Sequence, residues 1–222
     1  MGASFSPDPK DLERYRSLRV LSMRLSCKLI RTIPPRAWEE IGEALGILHG
    51  GALILDKEDV SSVLTDCCLY DWFENGRNLV QRYAAKHSGT PGTGERYLLH
   101  AYLQAKFRIL VVQSAAPGAG VYCQDVLSGE ELFMMDVGLS RSVPNGKSAI
   151  ATRTIPLGDY WMTGGAALPV RSGKAIRKAL DRIEGEQPVS TEGLAGQSLK
   201  IIRACLTAGA ADYIRYESPE EI

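Results

Sequence analysis

The string from Arg141 to Ser148 ends in Gly-Lys-Ser, the residues that close a phosphate-binding loop, and it is the most explicit chemical pattern in the chain. Such a loop needs a glycine where Arg141 stands, so that the backbone can approach the phosphates. It also needs a helix after Lys147-Ser148, so that successive N–H groups converge on the anion. Ser148 to Ile155 instead alternates apolar and polar residues as a strand does, so the string is expected to be a hairpin turn. A second glycine-rich run, Gly89 to Glu95, has neither the Lys-Ser/Thr pair nor a strand before it, and reads as a linker. His49, His87 and His100 have no second histidine or carboxylate at ligand spacing, so neither a metal nor a cofactor is expected. Cys27, Cys67, Cys68, Cys123 and Cys205 are odd in number and show no CxxC or CxC spacing. Buried, reduced thiols in a cytoplasmic protein are the expectation. No serine occupies a G-x-S-x-G elbow.

Acids and bases remain as candidates. Asp66 and Asp71 fall on one helix, while Asp125, Glu130, Glu131 and Asp136 flank one hairpin. Paired carboxylates can divide acid and base roles, which makes a hydrolase-like enzyme with an acid-lined site between a helical bundle and a sheet one reading. Hairpin ends are also where solvated charge sits, and that reading is favoured. The leading expectation is a non-enzymatic protein that binds another protein. Tyr122, Asp125, Arg141, Arg153 and Tyr160 are its binding residues, being polar or aromatic at strand or turn positions that a closed apolar core would reject. A third reading is nucleic-acid binding through Arg14, Arg16 and Arg24 of a basic first helix. Residues 1–36 carry eight basic and three acidic side chains, a local charge of +5, which the rest of the chain cancels because both signs total 26. No global field therefore points to nucleic acid or an acidic membrane.

The elements that must position these residues are legible from periodicity. Residues 1–9 read as a disordered lead. From Lys10 to Arg31 Leu12, Tyr15, Leu18, Leu21, Leu25 and Leu29 recur every three or four positions, one apolar face of a helix that Pro34-Pro35 ends. Further helices are expected over Arg36 to Leu48, closed by Gly50-Gly51, and over Lys57 to Phe73, broken at Asn75-Gly76. Two more follow over Gly76 to His87 and Glu95 to Ala105. Five short strands come next: Arg108–Gln113, Val121–Val126, Leu132–Val137, Ser148–Ile155 and Tyr160–Thr163. Tight turns such as Pro117-Gly118 and Ser128-Gly129 separate them, which suits an antiparallel meander or small open barrel. Helices over Gly173 to Ile183 and Glu192 to Thr207 complete the chain. The fold class is thus α+β: a bundle over 10–106, a five-stranded antiparallel β module over 107–170, and C-terminal helices over 171–222 packing on the preceding parts. No apolar run approaches the ~20 residues of a membrane helix, so no membrane partner is expected, and oligomeric state is left open.

CLYDWFENGRNLVQRY from Cys68, LLHAYLQAKFRILVV, PGAGVYCQDVLSGEELFMMDVGLSRS and TGGAALPV together resemble an uncharacterised bacterial family. In it, a PGxG…D…SGE β module follows a short helical bundle. The resemblance implies those module boundaries and no established activity. Some relatives are implied to add a zinc-binding tail of the SEC-C type, for which this sequence offers Cys205 alone and no histidine after His100.

Overall fold

A computed structural model describes residues 6–53, 58–87, 93–142, 148–164, 167–170, 174 and 191–207. In chain order the first elements are α1 (Pro9–Ile30), α2 (Pro35–Leu45), β1 (Leu48–His49), β2 (Ala52–Leu53) and α3 (Glu58–Tyr70). Then come β3 (Phe73–Glu74), β4 (Arg77–Asn78), α4 (Leu79–Lys86), α5 (Gly94–Leu103), β5 (Lys106–Ala116) and β6 (Gly120–Asp125). The chain continues as β7 (Glu131–Met135), α6 (Val137–Ser142), β8 (Ala149–Pro156), β9 (Trp161–Thr163), β10 (Leu168–Val170) and α7 (Thr191–Thr207). Two compact units contain them, one from Met1–Leu25 and Gly89–Gly164, the other from Ser26–Ser88 and Gly165–Ile214.

The first unit is built on a small barrel. All five expected strands form, in the order β8-β5-β6-β7-β9, and β9 also pairs with β8, which closes the ring. Two expectations are corrected here: the barrel is closed rather than open, and it is mixed rather than antiparallel. Each step from β8 to β7 and from β8 to β9 is antiparallel. A ring of five strands cannot alternate direction all the way round, so the closing pair β7–β9 must be parallel, and it is, at Met134↔Trp161. Nor is the order a simple meander. After β7 the chain enters α6 in place of the expected loop, and β8 returns to the free edge of β5. Asp136 starts that helix, its Oδ1 accepting the Leu139 N–H at 2.9 Å. Inside the barrel Leu110, Val112, Val121, Cys123, Leu132, Met134 and Ile150 form one apolar core, with Leu139 and Trp161 against it.

Alternation along β6 and β7 explains the pairing, since one residue in two must face that core. Gly120 opens β6 where a Cβ would collide with the Met134 carbonyl oxygen, so the close approach of β6 to β7 demands a glycine. Of α1, Tyr15, Leu18, Ser22 and Leu25 are buried in this unit. Arg19 donates to the Thr163 carbonyl at 2.6 Å, and the Ser22 hydroxyl lies 2.7 Å from that of Tyr102 on α5.

The second unit is mainly helical, with α2 against α3 and α7, and α3 against α4. Pro35 begins α2, where a missing N–H costs nothing, and Ala37, Ile41 and Leu45 are buried one turn apart. The sequence suggested that Gly50-Gly51 would end this helix. Instead Gly46, at φ 75°, caps it, and Gly50 and Gly51 (φ 58° and 80°) make the two-residue turn of the β1–β2 hairpin. Asn75 and Gly76, at φ 55° and 71°, do the same for β3–β4. Asn78 then caps α4, exchanging hydrogen bonds of 2.9 Å with Gln81. The Gly-Lys turn at 146–147, the linker at 88–92, all but Lys174 of the helix expected over 173–183, and the C-terminal tail lie outside the described residues. Among those described, no helix is long and apolar enough to cross a membrane.

Candidate functional site

The five residues expected to form a binding face do not share one. Tyr122 is half-buried on β6, its ring 4.8 Å from that of Phe133. Arg141 is exposed in the last turn of α6. Asp125, Arg153 and Tyr160 are buried, at 5%, 5% and 1% exposure. Asp125 bonds Arg108 at 2.5 Å through Oδ2, and through Oδ1 accepts the Leu127 N–H at 2.9 Å. It thereby organises the turn that Gly129, at φ 71°, completes. Arg108 reaches Glu130 at 2.8 Å and sits 4.7 Å above the Trp161 ring. The Arg153 guanidinium lies 5.6 Å over the Phe107 ring.

The acids divide in the same way. Asp136 is engaged at both oxygens, with Oδ2 accepting the Thr163 hydroxyl at 2.6 Å. It follows Met135, which pairs with Gly120, and so lies at the opposite end of the β6–β7 hairpin from Asp125. Asp66 and Asp71 belong to the other unit. With Cys67 they form a buried trio whose ligand atoms lie within 4.8 Å of one another, a convergence the sequence did not reveal. A thiolate and two carboxylates could hold a divalent ion. Each of the three also has an interaction partner inside the protein. Burial, and then the charges of Asp71 and Asp66, push the neighbouring Cys68 thiol up to about 12, which keeps it a protonated, inert thiol.

The barrel unit carries a different feature, an open groove of about 660 Å³ between α5 and the β8–β9 turn. Arg96, Tyr97, His100 and Gln104 line it from the helix, and Pro156 and Gly158 from the turn. Thr93 positions this helix, its hydroxyl accepting the Arg96 N–H at 3.3 Å. Leu98, Leu99 and Tyr102 are buried, leaving the 93-96-97-100-104 face to the groove, with buried Ala101 at its floor. Tyr97 is 36% exposed. Arg14 of α1 sits 5.2 Å over its ring. The Gln104 amide lies 2.9 Å from His100 Nδ1. Tyr160 begins at the same turn. Burial raises its pKa, Arg14 opposes the rise, and Tyr97 and Asp11 add to it, so all four are electrostatic neighbours. Arg14 and Tyr160 are thus the two expected binding residues that the fold brings together. Arg16 and Arg24 are exposed elsewhere on α1.

The groove can hold an extended chain or a planar group. Its chemistry is aromatic stacking on Tyr97, charge pairing with Arg96, and hydrogen bonding to His100 and Gln104. Sequence reasoning missed Arg96, Tyr97, His100 and Gln104. Their spacing marks one helix face, but only the β8–β9 turn, some 55 residues later, makes that face a groove.

No curated protein and no solved structure matches the chain. Residues 9–181 match the model of a family of unknown function, DUF7986, and the chain belongs to that family.

Proposed function

We propose that this protein is a non-enzymatic interaction module, and that its groove takes an acidic, aromatic-bearing segment of a partner protein. One observation carries the reading: the groove presents Arg96, Tyr97 and His100 on a single helix face, with Arg14 stacked beside it and no carboxylate among its lining residues. Aromatic and arginine side chains are those that dominate binding energy when they line a pocket. A cytoplasmic setting belongs to the same reading and is supported by five free thiols. A second, enzymatic reading rests on the Asp66–Cys67–Asp71 trio.

The test uses a fluorescently labelled random copolymer of glutamate and tyrosine, with fluorescence anisotropy as the readout at low and high salt. Binding that weakens with salt, and about tenfold with either Arg96→Glu or Tyr97→Ala, supports the proposal. No binding by the wild type, or binding untouched by both substitutions, sinks it. Equal displacement by a single-stranded oligonucleotide would transfer the groove to nucleic acid.

A further inference from the structure

Most large apolar side chains are buried in this protein. Among the described residues the four most exposed exceptions are Met23 at 65%, Leu127 at 59%, Val20 at 51% and Val126 at 46%. They form two pairs, both within the barrel unit. Val20 and Met23 lie on the outer face of α1, opposite the buried line Tyr15, Leu18, Ser22 and Leu25. Arg16 and Arg24, both exposed, flank that pair at helical spacings of four or fewer residues. Val126 and Leu127 stand at the β6–β7 turn, followed by exposed Glu130 and Glu131. One pair is framed by arginines and the other by Glu131 and by Glu130, whose carboxylate Arg108 already engages.

The turn that presents Leu127 is rigid by construction. Its backbone is tied to Asp125 at Leu127 and Gly129, and Arg108 clamps Asp125 and Glu130 from beneath. Little conformational entropy remains to be lost when it docks, which favours association through it. Both pairs are exposed in the single chain, so they do not cover each other there. A nucleic acid would account for the arginines but not for Met23 and Val20, and an acidic lipid surface would account for both yet repel the acidic turn.

We infer that the protein associates with a second copy of itself, the arginine-framed stripe of α1 in one copy receiving the glutamate-framed Val126–Leu127 turn of the other. Each chain carries one stripe and one turn. We place the copies about a two-fold axis, so that the contact is made twice and the pair closes; species that grow beyond a dimer with concentration would overturn that arrangement. Apolar burial supplies the attraction, and the charge frames set register and salt dependence. The inference is independent of the groove.

The test is sedimentation equilibrium of the full chain over a concentration series, at low and at high salt. The expected result is a monomer–dimer equilibrium that salt weakens. Met23→Glu and Leu127→Glu, both at exposed positions and so not expected to disturb folding, should each raise the dimer dissociation constant by about tenfold or more. Arg16→Glu with Arg24→Glu should also weaken the dimer, and adding Glu131→Arg in the same chain should recover part of the loss. Circular dichroism of each variant checks that it is folded. A monomer at every concentration overturns the inference. So does a dimer indifferent to Met23→Glu, or one that loses affinity with Met23→Glu but not with Leu127→Glu.

Discussion

Arg108 shows what a single residue does here. It opens the strand expected from the sequence, and in the structure it is the third residue of β5. In the fold it is 4% exposed, bonded to Asp125 and Glu130, with Trp161 beneath its guanidinium. Ion pairs taken out of water are costly when one member is lost, because the survivor stays buried and uncompensated. Arg108→Leu is therefore expected to cost about 3–5 kcal/mol, read as a lower urea midpoint; a loss under about 1 kcal/mol would show that Asp125 does not depend on it. The sequence could not place this residue, because both its partner turn and Trp161 arrive later in the chain. For the same reason the burial of Asp125 and its bond to Arg108 could not be read from the sequence. Glu130 and Glu131 do sit exposed, as hairpin-end charge should. Arg153 and Tyr160 also look like surface residues in a linear reading. Arg153 alternates with the core residue Ile150 along β8 and is covered by Phe107 on the other face, and Tyr160 is buried at the β8–β9 turn.

Among elements, the turns are where local chemistry and tertiary fit separate. Gly118 and Gly120 flank the same β5–β6 connection. Gly118 needs its φ of 78° and has open space around it, whereas Gly120 needs the space that the Met134 carbonyl and Met135 Cα would deny a side chain. Gly118→Ala should cost about 1 kcal/mol of left-handed backbone strain. Gly120→Ala should cost more, about 2–3 kcal/mol, by prising β6 from β7. Thermal denaturation of the two variants checks the order, and equal losses would contradict it. The PGxG and D…SGE residues that carry the family resemblance are thus explained as turn chemistry. The turn glycines and asparagines were readable from sequence, as were the long helices, whose periodicity needs only local repetition. The tiny hairpins β1–β2 and β3–β4 were read as helix breaks. The helix α6 was read as a loop, since six residues hold too little periodicity to stand out.

For the whole molecule, the buried thiols set a pH limit. Burial pushes the Cys123 and Cys68 thiols up to about 12 and that of Cys205 to about 11, and Tyr15 rises to about 12 through burial and the nearby Asp136 charge. In the unfolded chain these thiols would ionise near 9. A folded-state pKa raised above the unfolded one gives stability that is complete below 9 and lost as pH climbs from there towards 12, with Tyr15 joining from about 10. The urea midpoint should accordingly fall above pH 9. A thiol reagent at pH 8 should find one fast site, Cys27, the exposed cysteine. A midpoint that stays level to pH 11, or several fast thiols in the native protein, would contradict this burial. By itself the sequence determined the α+β class, the long helices and the five strands, all of which follow from residue periodicity and the conformations that Gly and Pro allow. Only the tertiary structure decided that the barrel closes with one parallel pair, because closure is a count of strands round a ring and not a property of any strand. It alone also made the groove, which joins α5 to a turn some 55 residues later, whereas the Asp66–Cys67–Asp71 trio spans one helical turn and needed the fold only to bury it.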